Sequence, residues 1–136
     1  VVAEKDPDGA NLDRIQIIKG WLDTGSKNNE KIYDVALSGG READPDTGKA
    51  PPVGSTVNVE DATYTNSIGA AHLSTVWTDP DFDPDQRAFY YARVIEIPVP
   101  RWTAYDASYY NVERNPKIPM IIQDRAFTSP IWYTPN

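Results

Sequence analysis

Apolar and polar positions alternate through Arg14 to Leu22, RIQIIKGWL, with Ile15, Ile17 and Trp21 on one side and Arg14, Gln16 and Gly20 on the other. Such a period of two, rich in β-branched residues, predicts a strand, because successive side chains of an extended chain point to opposite faces. Ile18 and Leu22 make the second side partly apolar as well. The polar run Asp23 to Glu30, DTGSKNNE, predicts a hairpin loop, and KIYDVAL after it predicts the antiparallel partner, with Tyr33, Val35 and Leu37 on one face. From Ser38 to Ser55 glycine, proline and charge mix without a period, which predicts an exposed loop. TVNV (56–59), ATYTNS (62–67) and AHLSTVW (71–77) predict three further short strands.

The longest predicted strand runs from Arg87 to Ile97, RAFYYARVIEI, and stops at Pro98 and Pro100, which cannot donate to a ladder. Alternation puts Ala88, Tyr90, Ala92 and Val94 toward a core and Phe89, Tyr91, Arg93, Ile95 and Ile97 outward. The outward set is too apolar for water, so it needs cover, either from the segment Trp102 to Met120 or from another domain. TAYDASYYNV (103–112) predicts one short helix with Thr103 as N-cap and Asp106 three residues on. Arg125 to Thr134 predicts a closing strand in which Pro130 demands an edge position or a bulge. Seven or so short strands with at most one brief helix imply an all-β fold, read here as an immunoglobulin-like antiparallel β-sandwich filling residues 1–136 as a single domain. In QRAFYYARV, Tyr90 stands where such domains place a corner tyrosine, with Ala92 in the core position two residues on.

Composition narrows the function. At 136 residues, 40% hydrophobic and 24% charged, the chain is globular in character and long enough for one proper core. Twenty acidic against 13 basic side chains give a net charge of -7 with no basic stripe, which argues against nucleic acid as a partner. No apolar run approaches the roughly 20 residues of a membrane span. Cysteine is absent and His72 is the single histidine, so thiolate chemistry is excluded and a complete catalytic zinc centre from this chain is not expected. The start at Val-Val-Ala, without an initiator methionine or signal peptide, reads as a processed chain or an excised domain.

Asp-Pro-Asp occurs four times, at Asp6 to Asp8, Asp44 to Asp46, Asp79 to Asp81 and Asp83 to Asp85. Proline presets the turn angle and the preceding aspartate accepts a bond from the backbone further on, so the repeat reads as turn punctuation. Asp79, Asp81, Asp83 and Asp85 also superficially offer a calcium loop, but Pro84 and Tyr90 stand where an EF-hand needs glycine and glutamate. Trp102, Tyr105, Tyr109 and Tyr110 form a candidate sugar-stacking cluster, against the commoner use of aromatics in cores and interfaces. The acids Asp13, Asp34, Glu60, Glu96 and Asp106 show no sequence pattern that would make them converge. No nucleophile elbow, P-loop or dinucleotide fingerprint is present, and no cofactor is expected.

Three long segments, DPDGANLDRIQIIKGWLD, WTDPDFDPDQRAFYYARVIEIPVPRWTAYDA and DRAFTSPIWYTP, resemble in order the C-terminal end of a bacterial family of uncharacterised proteins, a domain of unknown function. The similarity covers nearly the whole chain, weakening over 39–52 and 111–118. Longer members resemble PHP-type metal-dependent hydrolases in their N-terminal part. The resemblance therefore implies a non-catalytic C-terminal accessory domain whose partner is a hydrolase domain of the same polypeptide. Phe89, Tyr91, Ile95, Trp102 and Trp132 are the candidates for the contact. It also leans, with the lack of cysteine, toward a periplasmic or secreted setting. The alternative is a ligand-binding module for glycan or calcium.

Overall fold

In chain order the elements are β1 (Val2–Glu4), β2 (Leu12–Leu22), β3 (Asn28–Leu37), β4 (His72–Ser74), β5 (Ala88–Glu96), β6 (Val99–Pro100), α1 (Trp102–Tyr110), β7 (Ile121–Ile122), β8 (Arg125–Phe127) and β9 (Ile131–Tyr133). The computed structural model describes residues 1–23, 25, 27–45 and 48–135. Thr24 and Ser26 of the first predicted loop, Asp46 and Thr47 of the second, and Asn136 lie outside the described residues.

Strand β2 is the spine of an all-β, antiparallel, sandwich-like fold. It pairs with β3 on one side and β5 on the other, and β5 pairs in turn with β8 and β9, giving a five-stranded sheet. Two smaller antiparallel pairs, β1 with β4 and β6 with β7, complete the strands. Because β2 is apolar on both faces, it must be central, and Ile15 and Ile18, on opposite faces, are both fully buried. Leu73 of β4 packs with Leu12 and Ile15, and Ala3, Val35 and Val94 join them, so the β1–β4 pair covers one end of one sheet face. A second cluster joins Ala10, Ile97 and Val99 to Val53, Tyr64 and Ile68.

The register departs from regular pairing at Asp13, where β2 bulges against β5. A bulge leaves one residue without a cross-strand partner. Asp13, 2% exposed, is instead held by Arg41 at 2.5 Å and Gln123 at 3.0 Å.

Several expectations need correction. Asn28 to Glu30 belong to β3 rather than to the loop, so the hairpin is longer than its polar sequence implies. Residues 56–67 form no strand; Asn58 and Thr63 make one isolated bridge, and Asn58 Oδ1 accepts from the amides of Glu60 and Asp61, which closes a turn where a ladder would have to continue. The helix begins at Trp102 with Arg101 as N-cap and no side-chain cap bond. Thr103 is buried inside it, its hydroxyl donating to the Pro119 carbonyl at 3.0 Å, so Thr103 and Asp106 form no capping box. The closing strand divides around Pro130 into β8 and β9, with Thr128 bonded both ways to the Ala92 backbone, and both pieces lie at the sheet edge. Ile97 is not on an outer sheet face. It follows β5 and is sealed by its own cluster, where a Cβ on Gly69 (φ +79°) would lie 2.6 Å from its Cγ2.

Candidate functional site: two faces of one sheet

Register sorts the sheet residues into two sets. Lys19, Lys31 and Tyr90 stand abreast on β2, β3 and β5, as do Ile17, Tyr33 and Ala92 in the next row of the same face. On the opposite face, Gly20, Phe89 and Trp132 form one row, Ile18, Ile32 and Tyr91 the next, then Gln16, Arg93 and Phe127, and finally Arg14, Ile95 and Arg125.

The first face is closed by the segment from Trp77 to Asp85. Asp79 is the keystone: its Oδ2 accepts from Lys19 Nζ at 2.7 Å and from the Tyr90 hydroxyl at 2.7 Å, and its Oδ1 accepts from the Asp81 amide at 2.9 Å. Lys19 also donates to the Asp81 carbonyl at 2.7 Å and lies 5.4 Å from the Trp21 ring centre. The Lys19 and Asp79 side chains are only 3% and 6% exposed, a buried ion pair whose remaining bonding capacity is filled by neighbours. Asp81, half exposed, bonds Lys31 and the Tyr33 hydroxyl. The Trp77 ring rests on Tyr33 at 4.8 Å and on Tyr90 at 6.4 Å.

These contacts set the ionisation. Burial acts to raise the Asp79 carboxyl, but the bonds from Lys19, Tyr90 and the Asp81 amide outweigh it and hold the group below its ordinary value. Asp81 is lowered chiefly by Lys31 and then by Tyr33. Tyr33 and Tyr90 are pushed far upward, first by burial and then by donating to these carboxylates, so both hydroxyls stay protonated and serve as donors.

Of the four sequence candidates for calcium, then, Asp79 and Asp81 turn toward lysine and tyrosine, while Asp83 Oδ1 accepts from the Asp85 amide at 2.9 Å. The same aspartate-to-amide bond, two residues on, closes the turn at Asp6 and at Asp79, as turn punctuation requires. Asp46, the end of the remaining repeat, lies outside the described residues. Among the described residues no three histidine, aspartate or glutamate side chains converge as a metal-binding group. Tyr90 bonds a side-chain carboxylate and not an upstream backbone carbonyl, so it does not make the expected tyrosine corner. His72 lies on the surface beside Glu4, its cross-strand neighbour, at 3.5 Å.

The second face is open. Phe89 lies directly over Gly20, where a Cβ would come within 2.3 Å of its ring, so glycine alone permits this position. Tyr91 lies parallel to Phe89 at 6.4 Å, and Trp132 and Phe127 flank them at 5.2 and 6.3 Å. Trp132 is 72% exposed and Phe127 59%. A groove of about 620 Å³ runs from Trp21 and Leu22 past Phe89 to Trp132, and a shallower hollow continues between Tyr91, Phe127 and Pro130. Neither is lined by any residue of the Trp102 to Met120 segment, whose helix packs by Thr103, Ala104 and Ala107 near β6. Of the contact candidates, Phe89, Tyr91 and Trp132 are brought together. Ile95, 5% exposed, offers no surface, and Trp102 is exposed on the helix, apart from these hollows. Tyr105, Tyr109 and Tyr110 share that helix, with Tyr109 and Tyr110 edge-on at 86°, so those two do not form a flat sugar platform.

The sequence did not mark Lys19 and Lys31 as site residues, and it marked Tyr33 only as part of a strand face. The available signal was Lys19 itself, a cation in the middle of a strand apolar on both sides. No curated protein and no solved structure matches the chain. Residues 1–135 match a family described as protein of unknown function (DUF3604), and the chain belongs to that family.

Proposed function

We propose that this chain is a non-catalytic accessory domain that docks by its open aromatic sheet face onto a metal-dependent hydrolase domain of the same polypeptide, of the PHP type that longer relatives resemble. The observation carrying this reading is the contiguous row Phe127, Tyr91, Phe89 and Trp132, left uncovered by the chain's own helix and loops. An aromatic cluster whose outer rings, Phe127 and Trp132, stand exposed beside half-buried Phe89 and Tyr91 has the character of a contact surface. Of the aspartates that sequence spacing offered for calcium, Asp79 and Asp81 tie the Trp77 to Asp85 segment to the sheet, and Asp83 closes a turn within it.

Hydroxyl-radical footprinting tests the docking. Phe127 and Trp132 should label readily in residues 1–136 alone and be protected in a longer polypeptide carrying the preceding domain. Equal labelling in both would refute the contact. The purified chain should show no phosphoesterase turnover with added divalent metal, and steady turnover would refute the non-catalytic half.

A further inference from the structure

Resting on that reading, we infer that the open face recognises a protein surface with an apolar or aromatic anchor flanked by carboxylates, the carboxylates being read by Arg14, Arg93 and Arg125. Two adjacent register rows place these arginines near one another: Arg14 and Arg125 flank the sealed Ile95 on β2 and β8, and Arg93 lies one row along between Gln16 and Phe127. In a chain of net charge -7, both lysines of the sheet core, Lys19 and Lys31, sit on the opposite face and are tied to Asp79 and Asp81. The open face thus presents arginine and aromatic side chains without lysine, the composition enriched at the cores of protein interfaces.

The arginines are also underused. Arg93 spends its Nε on Gln16 at 2.8 Å, and the Arg125 side chain makes no hydrogen bond or ion pair among the described residues. Arg14 Nε is buried without a hydrogen-bond acceptor, its nearest carboxylates standing off at 3.6 and 3.8 Å. Both acids have other partners: Asp13 is held by Arg41 and Gln123, and Asp34 accepts from Gln16 at 2.7 Å and from the Ala50 amide. Planar guanidinium groups bind carboxylates in pairs of parallel bonds, so the row sets an orientation as well as a charge preference. The hollow beside it, walled by Phe89, Tyr91, Phe127, Thr128, Pro130 and Trp132, exposes mainly apolar surface, which suits an apolar or aromatic side chain as anchor.

The test is selection of a random 12-residue peptide phage library on the chain, with Trp132→Ser, Arg125→Glu and the double variant Arg93→Glu/Arg125→Glu as counter-targets. Circular dichroism checks that each is folded, and Arg125→Glu, at an exposed position, carries the test if the double variant does not fold. The expected result is a consensus joining one large apolar residue to two or more acids, with binding at least about tenfold weaker to the charge-reversed and Trp132→Ser variants. Peptides without acids, no enrichment, or equal binding to Arg125→Glu would overturn the inference. Heparin and polygalacturonate are titrated alongside, and saturable binding lost in the same variants would reassign the face to acidic polysaccharide. Acidic peptides selected while Trp132 stays labelled in the longer polypeptide would keep this surface and remove the hydrolase domain as its occupant. Protection there without acidic selection would keep the domain contact and remove the arginines from it.

Discussion

The two faces of the five-stranded sheet handle exposed area in opposite ways. One is closed by a local segment whose acids reach across to a buried lysine, so polar groups anchor a lid over an aromatic and aliphatic layer. The other keeps its aromatics in the open, ordered by a glycine that lets Phe89 lie flat on β2. The lesson is that charge in this chain serves closure on one side, where each partner comes from within. On the other it remains available. Stability should therefore be sensitive to the ion pairs of the first face and nearly indifferent to the exposed rings of the second.

The largest effect should come from splitting the buried pair. Asp79→Ala should cost about 3–5 kcal/mol in chemical denaturation, because an uncompensated ammonium is left inside. The double variant Lys19→Met/Asp79→Leu should recover most of that loss, and no recovery would show that Tyr90 and the Asp81 carbonyl matter more than the charges. Next is Gly20→Ala, which drives a methyl group into the Phe89 ring and should cost about 1–3 kcal/mol while changing the near-ultraviolet aromatic signal. An unchanged signal would mean that Phe89 is not held where Gly20 permits it.

Acid titration probes the closed face more gently. Asp79 and Asp81 have folded-state values below those of the unfolded chain, so their stabilisation is present above about pH 4 and is lost as pH falls through the folded values. Glu96 acts in the opposite sense. Burial first, then the charges of Asp124 and Asp6, raise it, so its contribution is present below its unfolded value and lost as pH rises through the folded one. Denaturation midpoints from pH 6 down should accordingly fall less steeply in Asp79→Asn than in the parent chain. Smallest of all, Trp132→Ser and Phe127→Ser should change the stability of the chain by no more than about 0.5 kcal/mol, since both rings already stand in solvent. A larger loss would mean that the open face is part of the core.

Much of the sheet was legible because its signal is local. The alternation in Arg14 to Leu22 and in Ala88 to Glu96 marks β2 and β5, and their apolar second faces mark them as central. The aspartate-proline repeats announce turns, and Pro130 announces the break between β8 and β9. Sites were less legible. Asp79 and Lys19 are 60 residues apart in sequence, and spacing within WTDPDFDPD could indicate acids in a turn without indicating their cation. Likewise Ile95 and Phe89 look equivalent by alternation, yet one is sealed and the other borders a groove.

Sequence alone determined the two long central strands, the antiparallel character and the shortage of histidine and cysteine, because alternation, turn chemistry and residue inventory act over a few neighbours or none. Only the tertiary structure decided which acids are spent, which face is shut, and that Arg14, Arg93 and Arg125 occupy adjacent rows of the other face. Those outcomes depend on strand register and on contacts across long stretches of chain, where a shift of one residue would exchange the two faces entirely.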